Sequence, residues 1–309
     1  MTEFIALMDS QPWLFYSLSF IFAATIGSFL NVVIHRLPIM MKREWQQECH
    51  DYLEHNENIK LDPKQLKPIL SALRAPQDGY PAKYNLIVPG SACPKCHTAI
   101  KPWQNIPVLG WLLLKGRCGH CSTPISSRYP LVEALTGLLV TVLAWHFGAT
   151  SAFAWASLLT FGLVAMTWID FDEMLLPDQL TLPLLWLGLL LNLNGLYTDI
   201  YSAVIGAMAG YLSLWSVFWG FKLLTGKEGM GYGDFKLMAL FGAWLGWQML
   251  PLIILLSSVL GAVIGIGLML SKRMEQGSPM PFGPYIALAG WIALLFGESI
   301  TQWYLASLA

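Results

Sequence analysis

Long stretches without a formal charge constrain this chain more than any other feature. Trp13 to Ile34 contains no Asp, Glu, Lys or Arg, and Ala134 to Ile169 contains none over 36 residues. A helix crosses the hydrocarbon core of a bilayer in about 20 residues. The first run is therefore one span, and the second is two, divided at the polar break His146-Phe147-Gly148-Ala149-Thr150-Ser151. Gln179 to Thr198 and Ile200 to Phe221 read as the fourth and fifth spans. Leu237 to Ser271 divides near Gly246-Trp247-Gln248-Met249-Leu250-Pro251 into a short sixth and a longer seventh. A last span follows Pro279-Met280-Pro281-Phe282-Gly283-Pro284 and runs to about Leu305. The expected fold is an all-α polytopic membrane protein of about eight helices.

Composition agrees, because 12% of residues are charged and 55% are apolar, against roughly 25% charged in a soluble domain. The first run reads as mature structure and not as a signal peptide, since the basic residues follow it and no small-residue cleavage site intervenes. With a net charge of -1 and no basic stripe, nucleic acid is not an expected partner.

The basic residues are unevenly placed. None occurs between Arg128 and Lys222, or between Lys236 and Lys272. If the N-terminus lies outside the cytoplasm, alternate loops put Lys42 to Arg128, Lys222, Lys227, Lys236, Lys272 and Arg273 on one side. The loops near His146, Asp199 and Trp247, on the other side, carry no Lys or Arg. The positive-inside rule makes the first side cytoplasmic and leaves both termini periplasmic. The expected organisation is a first transmembrane helix over 13–37, a small cytoplasmic domain over 38–129 inserted after it, and helices two to eight over 130–306.

The inserted domain contains Cys93-Pro94-Lys95-Cys96 and Cys118-Gly119-His120-Cys121. Two C-x2-C pairs at this separation form the pattern of a four-thiolate zinc site, each pair bringing two sulfurs to a tetrahedral ion. Two disulfides are the rival reading, disfavoured on a reducing face. Redox catalysis is another, but it needs a strand-helix context that is missing. The expected ligands are Cys93, Cys96, Cys118 and Cys121, with His97 and His120 as neighbours that a complete sulfur shell does not require. Cys49 is unpaired and reads as a structural or free thiol.

Acids bordering apolar spans are where chemistry is expected, because membrane proteins avoid carboxylates there without a use. Asp170, Asp172 and Asp178 lie where the third span meets the cytoplasm, and Asp234 ends Gly231-Tyr232-Gly233-Asp234 before the sixth. Two crossings separate Asp170 from Asp234, so both return to one face and can meet. Two carboxyls sharing a water-poor site divide one proton and serve as base and acid. The glycines before Asp234 suit unusual backbone conformations or close approach. Asp178, after Pro177, reads as a helix cap, and Asp172 as a solvated or supporting group. Gly27 and Asn31 read as helix-packing residues.

Taken in order, these features resemble the bacterial type IV prepilin peptidases, bifunctional aspartyl proteases and N-methyltransferases of pilus and type II secretion systems. The matching stretches are Gly27-Ser28-Phe29-Leu30-Asn31-Val32-Val33-Ile34-His35-Arg36-Leu37-Pro38, the two Cys pairs, Ser127-Arg128-Tyr129-Pro130-Leu131-Val132-Glu133, Asp170 to Asp178, and Gly231 to Asp234. The resemblance implies that Asp170 and Asp234 are the catalytic pair and that the protein sits in the bacterial inner membrane. It implies cleavage of the basic leader of prepilins or pseudopilins after a glycine at the cytoplasmic face. Methylation of the new N-terminal residue from S-adenosylmethionine would follow. No Gly-rich nucleotide fingerprint marks a donor site, whose default location is the cytoplasmic domain with the adjoining helix ends. Glu133, Glu173 and Glu228 are candidates for attracting the basic leader, or simply cap helices and face solvent.

Three other readings compete. A transporter would place ionisable groups near the bilayer middle and show related halves, neither of which is visible. A zinc-stabilised membrane scaffold explains the cysteines and leaves Asp170 and Asp234 without a task. A presenilin-like intramembrane protease also uses Gly-x-Gly-Asp but lacks the two C-x2-C pairs.

Overall fold

The computed structural model describes residues 10–56, 62–74, 79–271 and 280–308. Lys272, Arg273 and Pro279, which entered the span and charge readings, lie outside them. Of the described residues about 76% are helical, and none is in a strand. It divides into two compact units, one made of the residues up to Gly27 together with those from Ala134 onward, the other of Ser28–Glu133.

Helix α1, Pro12–His55, passes from the first unit into the second. The sequence reading gave 13–37 as the transmembrane part of this helix, and the helix itself continues through Pro38. Proline removes one backbone hydrogen bond, and the Met, Lys, Arg, Glu and Gln residues beyond it are good helix formers that carry the helix on. Arg36 is buried on it and donates to the carbonyls of Asn85 (2.8 Å) and Pro89 (2.7 Å). That contact ties the loop after α2, Pro63–Arg74, to the helix. A 3-10 turn at Pro102–Asn105 and the short α3, Leu109–Leu113, complete the insert between α1 and α4.

The larger unit holds most of α4 (Arg128–Phe147), then α5 (Ser151–Glu173), α6 (Asp178–Asn192), α7 (Ile200–Thr225), α8 (Tyr232–Leu245), α9 (Leu250–Leu270) and α10 (Gly283–Leu308). The expected breaks fall in turns. Thr150 accepts the Phe153 N–H to start α5, and Gly246 (φ 81°) ends α8 before a 3-10 turn at Trp247–Met249.

Among the described residues six helices are long and apolar enough to span: α1, α4, α5, α7, α9 with its preceding turn, and α10. The expected count of eight is not reached by length. Helices α6 and α8 have 15 and 14 residues, about 22 and 21 Å at 1.5 Å per residue, against a core of about 30 Å. The reason is legible in α8, where Asp234, Phe235 and every residue from Leu237 to Trp244 are buried. A helix apolar on all sides can be wrapped by protein as well as by lipid.

Small residues bring that wrapping close. A Cβ on Gly242 of α8 would meet the carbonyl of Gly206 in α7, and one on Gly210 would lie 2.6 Å from the Met238 carbonyl. The two backbones touch where Gly206 and Gly210 stand four residues apart. Across from them, α6 offers Gly188 to the Trp244 ring, whose indole N–H donates to the Leu184 carbonyl (2.8 Å). Asn192, at the end of α6, donates to the carbonyls of Ala243 (2.9 Å) and Trp244 (3.0 Å). Its side-chain oxygen accepts from the N–H groups of Tyr197 and Thr198. These contacts fix the axial position of α8 and hence of its first turn.

Candidate active site and metal centre

Helix α5 ends one turn after Asp170, where Met174 takes the left-handed conformation (φ 52°) and its N–H closes on the Asp170 carbonyl (3.0 Å). The chain reverses through Leu175, Leu176 and Pro177, and Leu176 is buried. Asp234 stands in the first turn of α8, and its Oδ2 accepts the Gly231 N–H at 3.3 Å. Taken alone, that bond is half of a helix-capping box. Burial argues for more than a cap, because Asp170 is 5% exposed and Asp234 is 6% exposed.

A third helix end joins them. Gly283, the first residue of α10, donates its N–H to Asp170 Oδ2 at 3.1 Å. A Cβ there would lie 2.6 Å from the same oxygen and 3.1 Å from both Leu176 methyls. Leu176 also faces Gly233, where a Cβ would lie 2.8 Å from its own. The end of α5 and the beginnings of α8 and α10 thus meet around Leu176, and the carboxylates interact electrostatically. Close approach explains Gly233 and Gly283. Gly231 has an ordinary φ of -82° and only ordinary contacts at its Cβ position, the nearest being Asp234 Oδ2 at 3.9 Å, so the expectation of an unusual conformation does not hold there.

Asp178 is not the cap it was expected to be, since Pro177 stands at the N-cap of α6 with no side-chain cap bond. The Asp178 carboxylate instead accepts from Lys236 Nζ through both oxygens, at 2.8 and 2.7 Å, tying α6 to α8 two residues past Asp234. Asp172 is exposed, and Glu228 pairs with Lys222 at 2.8 Å.

In the Ser28–Glu133 unit, Cys93, Cys96, Cys118 and Cys121 place all four sulfurs within 4.8 Å of one another. Sulfurs pair across the two motifs, Cys93 with Cys121 at 3.7 Å and Cys96 with Cys118 at 4.0 Å. A tetrahedral ion with metal–sulfur bonds of 2.3 Å requires S···S edges of about 3.8 Å, so the donor set fits a metal. No disulfide joins the five cysteines, and the group contains neither His97 nor His120.

Each pair is built the same way. The first cysteine's N–H bonds the carbonyl five residues on, Thr98 (3.0 Å) or Thr123 (2.8 Å), while His97 (φ 55°) and Ser122 (φ 58°) turn left-handed after the second cysteine. Bridges Ala92–Ala99 and Arg117–Pro124 close the two loops. Thr123, through its hydroxyl and then its backbone N–H, lowers the Cys121 thiol to about 6, and the Thr98 hydroxyl and backbone N–H hold the Cys96 thiol below its ordinary value. Both favour the thiolate form that binds metal. Cys49 is exposed on α1 and outside this group.

The family model of the Bacterial Peptidase A24 N-terminal domain matches residues 21–147, and that of the Type IV leader peptidase family matches residues 157–266. The proteins named "Prepilin leader peptidase/N-methyltransferase" from Aeromonas salmonicida, Aeromonas hydrophila and Pseudomonas aeruginosa are 56%, 55% and 52% identical to it. They match over 100%, 99% and 96% of this chain and of themselves. The chain belongs to the type IV leader peptidase family. No solved structure gives a significant match.

Type IV leader peptidases are aspartic proteases, and this member, with its apolar helices, is an inner-membrane protein. Within this leader peptidase, Asp170 and Asp234 stand at helix ends that meet around Leu176. Sequence reasoning missed Gly283, Leu176 and Lys236. A glycine between Phe282 and Pro284 was the only signal for Gly283, and it read equally well as the start of a helix.

Proposed function

We propose that this chain removes the basic leader of type IV prepilins or type II secretion pseudopilins after a glycine at the cytoplasmic membrane face. It then methylates the new N-terminal residue from S-adenosylmethionine. The observation that carries the reading is the meeting of two buried carboxylates, Asp170 and Asp234, at three helix ends. Relatives of more than half identity named as bifunctional prepilin enzymes support it.

In this reading the pair shares one proton, and its titration belongs to the pair and not to either residue. The ionised carboxylate takes a proton from a water as the oxygen attacks the scissile carbonyl. The protonated partner gives its proton to the carbonyl oxygen, and the leaving amine is protonated as the C–N bond breaks. The Gly283 N–H holds one oxygen of Asp170. A prepilin has a basic leader followed by an apolar helix, so its scissile bond sits where lipid meets cytoplasm, the level assigned to both acids.

The four cysteines would hold zinc. A shell of four sulfurs leaves no position for water, so the ion's chemistry is structural. S-adenosylmethionine is a co-substrate that supplies the methyl group, and the accepting amine must be unprotonated and aligned with it. Both termini are assigned to the periplasm and the Ser28–Glu133 unit to the cytoplasm. The presenilin-like, transporter and scaffold readings are not favoured, because the match to the bacterial N-terminal domain spans both cysteine pairs.

The test is cleavage of a purified prepilin by wild type, Asp170→Asn and Asp234→Asn. Each substitution is expected to abolish cleavage while the protein stays inserted and methylates an already trimmed substrate. Full cleavage by both variants would refute the assignment.

A further inference from the structure

Three carboxylates are buried among the described residues: Asp170, Asp234 and Glu133. The first two have a task, whereas Glu133, in the first turns of α4 and 8% exposed, does not. Its Oε2 accepts the Val108 N–H at 2.7 Å, and the Ser28 hydroxyl of α1 bonds the same carboxyl. None of the ion pairs among the described residues includes it. An ionised carboxylate has about four acceptor positions, so these bonds leave capacity unfilled. Buried charges are normally paired.

The surroundings hold this group in place. Val108 has φ 62° and ψ -52°, and the Leu109 N–H reaches back over it to the Pro107 carbonyl at 2.5 Å, a γ-turn that β-branched residues rarely enter. That conformation points the Val108 N–H at Glu133, and such backbone is kept where the surroundings over-determine it, often at functional sites. Asn31, one helical turn beyond Ser28, donates to the Tyr129 carbonyl at 3.2 Å and locks α4 to α1. Ser28 and Val108 are only half-buried, so the carboxyl lies just below the surface.

We propose that Glu133 is the amine-binding carboxylate of the methyl-transfer site and takes a primary α-ammonium. The inference rests on the reading that this chain methylates its product. Methyl transfer requires that an ammonium be bound, lose a proton and present its lone pair to the methyl carbon. Where the bound ammonium is the pilin's, Glu133 accepts that proton. The amine lone pair forms the N–C bond while the C–S bond breaks, and its electrons stay on sulfur as a neutral thioether. The product leaves as a secondary ammonium, and Glu133 returns its proton to water. Two molecules bring the required ammonium: the trimmed pilin through its N-terminus, and S-adenosylmethionine through its amino-acid end.

The experiment measures methylation of an already trimmed pilin, cleavage of the full prepilin and bound zinc in wild type, Glu133→Gln and Glu133→Asp. Glutamine still accepts from the Val108 N–H and bonds Ser28, so cleavage and zinc are expected to persist while methylation falls roughly a hundredfold. Aspartate, which keeps the charge, is expected to retain more methylation than glutamine. Equilibrium binding of S-adenosylmethionine separates the two sources. Unchanged donor affinity with a raised KM for pilin assigns Glu133 to the substrate amine, and weakened donor binding assigns it to the donor's ammonium. Methylation by Glu133→Gln within about threefold of wild type overturns the proposal, a change too small for a lost acid–base group. Loss of zinc and cleavage together with methylation also overturns it, since the carboxyl then only holds the fold. A wild-type protein that cleaves but never methylates removes the underlying reading, and this inference with it.

Discussion

At the scale of single residues, the reactive geometry depends on groups that carry no reactive atom. Gly283 presents its N–H to Asp170 from a position where a Cβ would lie 2.6 Å from the same carboxylate oxygen. Gly283→Ala is therefore expected to push Asp170 out of register and lower cleavage by about tenfold to a hundredfold, the loss that follows misplacement of a reacting group by about 1 Å. Initial-rate assays on a prepilin check this, with methylation of trimmed substrate as the control that stays near wild type. Lys236 acts more gently. Its pair with Asp178 spans α6 and α8 but is partly exposed, where ion pairs contribute about 0 to 1 kcal/mol. Lys236→Ala is expected to lower cleavage only a few-fold, through the α8 first turn. A loss as complete as that of Asp234→Asn would give Lys236 a direct chemical role.

At the scale of elements, α8 is held by backbone contact more than by side-chain bulk. A Cβ on either Gly206 or Gly242 would meet the backbone carbonyl of the other. Gly242→Ala is expected to destabilise the protein by about 1 to 3 kcal/mol, as overpacking does. Gly220→Ala on the same α7, where nothing lies within 4 Å of the added Cβ, is expected to be neutral or to gain up to about 1 kcal/mol from helix propensity. Thermal unfolding in detergent checks the pair, and equal shifts would contradict the crossing. The cysteine loops form an element of the same kind, assembled by geometry. Cys93→Ser or Cys118→Ser is expected to remove the metal and loosen the Ser28–Glu133 unit, read by elemental analysis and limited proteolysis. Full zinc content in both variants would show that these sulfurs are not its ligands.

At the scale of the whole molecule, the prediction concerns sidedness. Ser151→Cys, exposed at the start of α5, is expected to react with an impermeant thiol reagent from the periplasm in intact cells. Labelling only after the inner membrane is opened would invert the topology and move both aspartates away from the cytoplasmic face. Much of this architecture was readable from composition along the chain. Charge-free runs marked α1, α4, α5, α7, α9 and α10, because the cost of a charge in lipid is local to each residue. The same logic is not confirmed by length at α6 and α8, since burial in protein and burial in lipid select the same side chains. Likewise the Cys93-x-x-Cys96 and Cys118-x-x-Cys121 spacings announced a four-sulfur group, because each loop presents two sulfurs by its own hydrogen bonds.

The helix content, the cysteine quartet and the place of the two acids at the borders of apolar runs were written in short-range patterns, in which each residue's neighbours along the chain supply the signal. The partners of those acids were not. Gly283 reaches Asp170 across 113 residues and Lys236 reaches Asp178 across 58, and nothing in either local stretch specifies the other. Only the packing of α8 between its glycine-lined neighbours brings three helix ends together, because contact between distant segments depends on how whole helices fit.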